Sequence, residues 1–289
     1  MPDNTPRCYI GLPQWNHPDW GDGPLAGNSQ SHPLGLYARY FSSVEGNTTF
    51  YGLPSPDAIN RWLSETTDPF RFCFKFPQTI SHLSQLRHCD KELTELFNCM
   101  QKLEDRLGLL CLQLPETFSP RHLPQLQDFF SILPAGFNYS IEVRNIGFFK
   151  KDDRERDFNR LLLDCGINRT TFDTRPLFNH PVTDHATQEA LSAKPNMPVH
   201  VLATGMQPMV RFITAMDWKS STNYLNPWIN KVVQWMDEGR SPYIFLHTPD
   251  NRSAPDVARL FAAKLEAERP GQVYFTDWPD SQQQQSALF

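Results

Sequence analysis

Eight short apolar runs punctuate the chain, and polar or charged side chains recur at their downstream ends. They are Cys8 to Gly11, Ser43 to Asn47, Phe72 to Lys75, Leu110 to Gln113, Ser140 to Arg144, Thr170 to Asp173, Val210 to Ile213 and Tyr243 to His247. Runs of four or five residues bounded by turn formers read as buried strands. Stretches with helical spacing separate most of them: Leu34 to Phe41, Pro56 to Glu65, Asp90 to Leu107, His122 to Leu133, Asp153 to Cys165, Asn226 to Glu238 and Ala254 to Glu266. Strands alternating with helices imply parallel pairing, and eight such units close into a β/α barrel. The expected fold is therefore α/β, a single parallel (β/α)8 TIM-type barrel over residues 1–280, followed by a flexible glutamine-rich tail at 281–289.

Strand six is expected to span Ile167 to Asp173. Residues 174–207 then hold four prolines and one short helical pattern, Ala186 to Ala193. A connection that long is functional or disordered in most domains. After a barrel strand it falls on the active face, as an insertion or a lid.

Side chains alternate faces along a strand. Phe72, Phe74 and Phe76 oppose Cys73 and Lys75. Leu110, Leu112 and Leu114 oppose Cys111 and Gln113. Ile141 and Val143 oppose Ser140, Glu142 and Arg144, and Phe172 opposes Thr171 and Asp173. The split predicts large groups toward the helices, small ones in the barrel interior and polar ones at the mouth. Lys75, Gln113, Glu142, Arg144, Asp173, Arg211 and His247 are thus expected around one cavity. A purely structural ion network is the alternative, because inward ions are costly unless paired.

The formal net charge of −5 argues against a uniformly basic nucleic-acid coat, although a local basic patch survives such an average. No run of 18 apolar residues predicts a membrane span, and the first residues lack the pattern of a signal peptide. The cysteines at 8, 73, 89, 99, 111 and 165 form no Cys-x-x-Cys pair, so free thiols and a cytoplasmic location are expected.

The strings Tyr9 to Trp15, Val44 to Tyr51, Phe72 to Pro77, Thr79 to His82, Leu112 to Pro115, Ile141 to Arg144 and Asp173 resemble the domain-of-unknown-function 72 family. Arg87 to Asp90 and Phe245 to Asp250 are similar to its YecE-like bacterial branch. The resemblance implies a single β/α barrel and no particular reaction. It also implies polar positions at Glu45, Asn47, Lys75, Gln113, Glu142, Arg144 and Asp173. The first-strand motif, often Gly-Thr-Ser-Gly-Trp in the wider family, is Gly-Leu-Pro-Gln-Trp here.

Several chemistries compete for these residues. A retaining glycosidase needs two close carboxylates, with Glu45 and Glu142 available. A Schiff base needs a lysine of lowered pKa; Lys75 is available, but its acidic neighbours favour the charged form. Metal-assisted phosphoester hydrolysis needs ligands such as Glu45, Glu142, Asp173 and His247, so a divalent metal is one cofactor to test. Three cations, Lys75, Arg144 and Arg211, with an aromatic rim of Trp15 and Tyr51, suit a small anionic substrate or a nucleic acid.

The leading expectation is an enzyme, a hydrolase or lyase on a phosphate-bearing substrate, damaged nucleic acid included. Glu142, Lys75, Asp173 and Glu45 are the catalytic candidates. Arg144, Arg211, Asn47, Gln113, His247, Trp15 and Tyr51 are the substrate-binding ones. Gln285, Leu288 and Phe289 resemble the short peptide by which bacterial repair proteins dock on the DNA sliding clamp. They give the alternative of a non-catalytic ligand-binding or adaptor protein.

Overall fold

The apolar runs pair as parallel strands, and the helical segments supply the crossovers that parallel pairing requires. A computed structural model describes residues 5–20, 25–26 and 32–278. Its strands are β1 (Cys8–Leu12), β2 (Ser43–Gly46), β3 (Arg71–Lys75), β4 (Leu107–Gln113), β5 (Asn138–Glu142), β6 (Asn168–Arg169), β7 (Thr171–Asp173), β8 (Met209–Ile213), β9 (Tyr243–His247) and β10 (Val273–Tyr274). Its helices are α1 (Pro33–Tyr37), α2 (Pro56–Glu65), α3 (Asp90–Met100), α4 (Leu123–Ser131), α5 (Asp153–Cys165), α6 (Arg175–Phe178), α7 (His185–Ala193), α8 (Thr222–Asp237) and α9 (Ala254–Glu268).

The strand order is β6-β5-β4-β3-β2-β1-β9-β8-β7, all parallel. Its two ends, β6 and β7, are separated only by Thr170, whose amide donates to the Ile141 carbonyl at 2.9 Å. The ring is thus an eight-position barrel with an interrupted sixth strand. Below the Gly11–Ser43 pairing, Cys8 and Tyr9 pair with β10, a two-residue strand without a periodic signal in the sequence.

Helix ends follow local chemistry. Ser55 Oγ accepts the Ala58 amide at the start of α2, with Pro56 in the first turn. Asp152 does the same for Glu155 in α5, and Gly166 closes that helix at φ +65°. The helix expected over Asp90 to Leu107 ends instead at Met100. Tighter turns through Arg106 keep Leu103 buried and deliver the chain into β4 at Leu107.

Large apolar groups fill the layer between sheet and helices, as the alternation predicts: Phe72, Phe74, Phe76, Leu110, Leu112, Ile141, Val210 and Leu246 lie there. The barrel interior differs from expectation. Cys73 and Cys111 do occupy it, but with Leu109, Met209, Tyr243 and Phe245. These come from strands on opposite arcs of the ring, so they meet in the lumen. Room for Phe245 comes from Gly11, where a Cβ would stand 2.9 Å from that ring and 2.3 Å from the Ser43 carbonyl. Tyr37 Oη accepts from the Leu12 amide and donates to the Ser43 carbonyl, each at 2.8 Å, fixing β1 against β2.

The segment 174–207 contains α6 and α7 and then returns along the sixth strand. Thr174 Oγ1 donates to the Pro195 carbonyl at 3.1 Å. Thr204 Oγ1 donates to the Ile167 carbonyl at 2.6 Å and accepts the Arg169 amide at 2.8 Å. His200 Nδ1 lies 2.6 Å from Glu155 Oε1 on α5. Among the described residues, no helix is long and apolar enough to cross a membrane. The tail residues Gln285, Leu288 and Phe289 lie outside the described residues.

Candidate functional site

At the downstream ends of the strands, β2 offers Glu45, β3 Lys75, β4 Gln113, β5 Glu142, β8 Arg211 and β9 His247. All six side chains are buried. Register explains the convergence: Gln113 pairs with Glu142, and Glu45 with Cys73, so these positions share the inward face.

Arg211 is the centre of the group. Its Nε donates to Glu45 Oε2 at 2.8 Å and its Nη1 to Glu142 Oε2 at 2.6 Å. Its guanidinium carbon stands 4.6 Å from the Phe172 ring centroid, a cation–π contact. Arg144, just beyond β5, donates Nε to Glu142 Oε1 at 2.8 Å. Lys75 Nζ donates to Gln113 Oε1 at 2.9 Å and lies 3.5 Å from Glu45 Oε1. Within this group, Glu45 Oε1 and His247 Nε2 are buried without a hydrogen-bond partner among the described residues; the latter lies 3.6 Å from Glu45 Oε2.

These arrangements set the proton affinities. Burial alone raises the carboxyls, but Arg211, Arg144 and Lys75 overcome it at Glu142 and hold that group at about 2. Burial is likewise overcome at Glu45 by Arg211 and Lys75, and that carboxyl lies well below the usual range. Burial pushes His247 down to about 4 against the opposing pull of Glu45, so the imidazole is neutral near pH 7.

The structure does not bring Asp173 to this group. Phe172 pairs in register with Arg211, and Asp173 with Phe212, which packs against the helices. The expected faces of the sixth strand are therefore reversed: Phe172 is inward and Asp173 outward. Its carboxylate accepts from the Arg175 amide at 3.1 Å, from Arg175 Nε at 2.9 Å and Nη2 at 2.7 Å, and from Trp228 Nε1 on α8 at 2.8 Å. A buried acid so completely bonded is as stable facing the helices as facing the mouth. Trp15 also turns from the rim and packs edge-on against Trp62, with centroids 5.7 Å apart. Tyr51 remains at the rim, 78% exposed. Asn47 Nδ2 donates to the Pro13 carbonyl at 3.2 Å, tying β2 to the first loop.

Two cavities open over the group. One, of about 360 Å³, is lined by Asn47, Phe50, Lys75, Gln113 and Arg144 among others. The second, of about 510 Å³, is lined by His82, Glu116, Arg144 and the segment from Ser192 to Met197. His82 and Arg144 border both. No periodic pattern marks Lys194, which lies in irregular chain directly after α7. Burial and the charge of Arg211 lower its amine to about 8. His82 sits on a wide turn closed by the Ser84 amide on the Thr79 carbonyl. Burial, then Arg144 and Lys75, lower its pKa.

The carboxylates do not present a metal set. Arg211 spans Glu45 and Glu142, Asp173 is elsewhere, and among the described residues no three His, Cys, Asp or Glu side chains are placed to hold one ion. The same guanidinium fills the space a sugar would need between a glycosidase pair.

Fold and site together define a parallel β/α barrel with a charged mouth that its own insertion borders. The model of the family described as "Protein of unknown function DUF72" matches residues 9–284, and the chain belongs to that family. It is 44% identical over 262 residues to UPF0759 protein YecE of Escherichia coli K12, covering 91% of this chain and 94% of that protein. It shares the same identity and coverage with the counterpart from E. coli O157:H7. Crystal structures of DUF72 family proteins share the fold. One from Thermotoga maritima has a TM-score of 0.66 at 19% identity, covering 90% of this chain and 99% of that one. One from Enterococcus faecalis has a TM-score of 0.63 at 19% identity, covering 91% and 98%.

Proposed function

We propose that the mouth is an enzyme site of the hydrolase or lyase class for a small phosphate-bearing substrate. One observation carries this reading: four cationic side chains, Lys75, Arg144, Arg211 and Lys194, gather over two buried carboxylates, Glu45 and Glu142, with Glu116 exposed at the cavity wall. The group keeps a positive excess after its internal pairing. Arg144 is the point of contact. Glu142 fixes its Nε, while its terminal nitrogens have no protein partner among the described residues and border both cavities. A guanidinium held in this way offers a preset fork for phosphate oxygens. The cavities match the ~300–1,000 Å³ of small-molecule sites. The exposed Tyr51 ring keeps a base-bearing phosphate within the class.

Glu142 is a poor general base, since two guanidiniums occupy its oxygens and depress its pKa. Its role, with Glu45, is to position the arginines. Proton transfer falls to His82 and Lys194 at the cavity wall, where burial and the neighbouring cations lower the pKa of both. A bacterial cytoplasm is part of this reading, because all six cysteines are free thiols.

The test is a thermal-shift panel of inorganic phosphate, sugar phosphates and nucleotides, followed by turnover assays on those that bind. A ligand selective for the folded state raises Tm. Stabilisation by phosphate esters but not by their dephosphorylated forms supports the reading. Binding without turnover of any hit would leave the alternative, a non-catalytic ligand-binding protein. Clamp docking through Gln285, Leu288 and Phe289 is tested separately, by pull-down with and without Leu288 and Phe289.

A further inference from the structure

Lys194 differs from the other mouth cations in having nothing to hold. Arg211 and Arg144 are bonded to carboxylates, and Lys75 is bonded to Gln113 with Glu45 beside it. Among the described residues, the Lys194 amine has neither an ion pair nor a hydrogen bond. It follows directly on α7, whose last turn its backbone caps by donating to the Ala190 carbonyl. The Thr174–Pro195 bond then anchors the next residue to the end of the sixth strand. The backbone at Lys194 is therefore anchored, and the residue lines the cavity that His82 and Arg144 also border.

We propose that Lys194 is a Schiff-base nucleophile and that the substrate is a carbonyl compound carrying a phosphate. Such a nucleophile must be neutral part of the time, without a carboxylate bonded to it, and beside a group that orients the carbonyl. Lys194 meets these conditions where Lys75 does not. Its amine, lowered to about 8, is roughly one-quarter neutral at pH 7.5, against about one part in a thousand for an ordinary lysine. Arg144 holds the phosphate and directs the carbonyl to the amine. The neutral amine adds to the carbonyl carbon, and the carbonyl oxygen departs as water with the two amine hydrogens. A C=N bond replaces C=O, with His82 in the same cavity to relay the proton. No oxidant or further reactant is needed. An imine withdraws electrons from its neighbouring carbon, so this step selects the lyase side of the proposed function and rests on that reading for its anion.

The experiment uses the full chain with pyridoxal 5′-phosphate as the aldehyde probe, borohydride reduction and peptide mass mapping. Unphosphorylated pyridoxal runs in parallel. The expected result is labelling of Lys194 at least about tenfold faster than of Lys91, an exposed lysine on α3, with a rate that rises through pH 8. Inorganic phosphate should slow it, and Lys194→Arg should abolish it. Labelling of Lys194 no faster than Lys91 overturns the proposal, even where phosphate still stabilises the protein. Fast labelling of Lys194 that is equal for pyridoxal and its phosphate leaves the nucleophile standing and overturns the anion reading instead.

Discussion

Arg211 Nε donates to Glu45 Oε2 at 2.8 Å across the barrel lumen, joining β8 to β2, while the same guanidinium reaches Glu142 on β5. One cation thereby neutralises much of two buried acids. Its removal leaves both carboxylates buried with less compensation than the fold provides.

Arg211→Met should therefore lower the unfolding free energy by roughly 3–5 kcal/mol, as expected for breaking a buried pair. Denaturant titration measures it. A loss below about 1 kcal/mol would mean that the pair is weakly coupled to the fold.

Asp173 and Trp228 belong to packing rather than to the mouth. Trp228→Phe removes one hydrogen bond to a buried charge and should cost about 1–3 kcal/mol. Phosphate affinity measured by calorimetry should not change. A parallel fall in affinity would return Asp173 to the site.

The His247 imidazole is held neutral, with its pKa moved from 6.5 to about 4. Between those values the unfolded chain binds a proton that the folded chain refuses. Stability is thus fully present above pH 6.5 and declines as pH falls toward 4, by up to roughly 3 kcal/mol from this group. His247→Gln should flatten the stability profile in that window. An unchanged slope would show that the histidine titrates freely in the folded protein.

Much of this was legible in the sequence. The runs ending in Lys75, Gln113, Glu142 and His247 announced both a barrel and the side of it that carries charge, because strand ends and alternating faces are local properties. Other features were not local. Asp173 looked inward because polarity was the only guide, and its partner Trp228 lies 55 residues away. Lys194 sits in irregular chain, where no period marks which way a side chain turns. The interior rings of Tyr243 and Phe245 broke the rule of small groups inside, since Gly11 on a neighbouring strand makes the space. β10 is too short to leave a pattern.

The central claim is that the mouth binds an anion through Arg144. Calorimetric titration of a phosphate ester that stabilises the wild-type protein, repeated with Arg144→Ala, tests it most directly. At least about a tenfold loss of affinity is predicted, in line with the ~1.5–3 kcal/mol of a hydrogen bond to a charged group. Equal affinities for the two proteins would contradict the account.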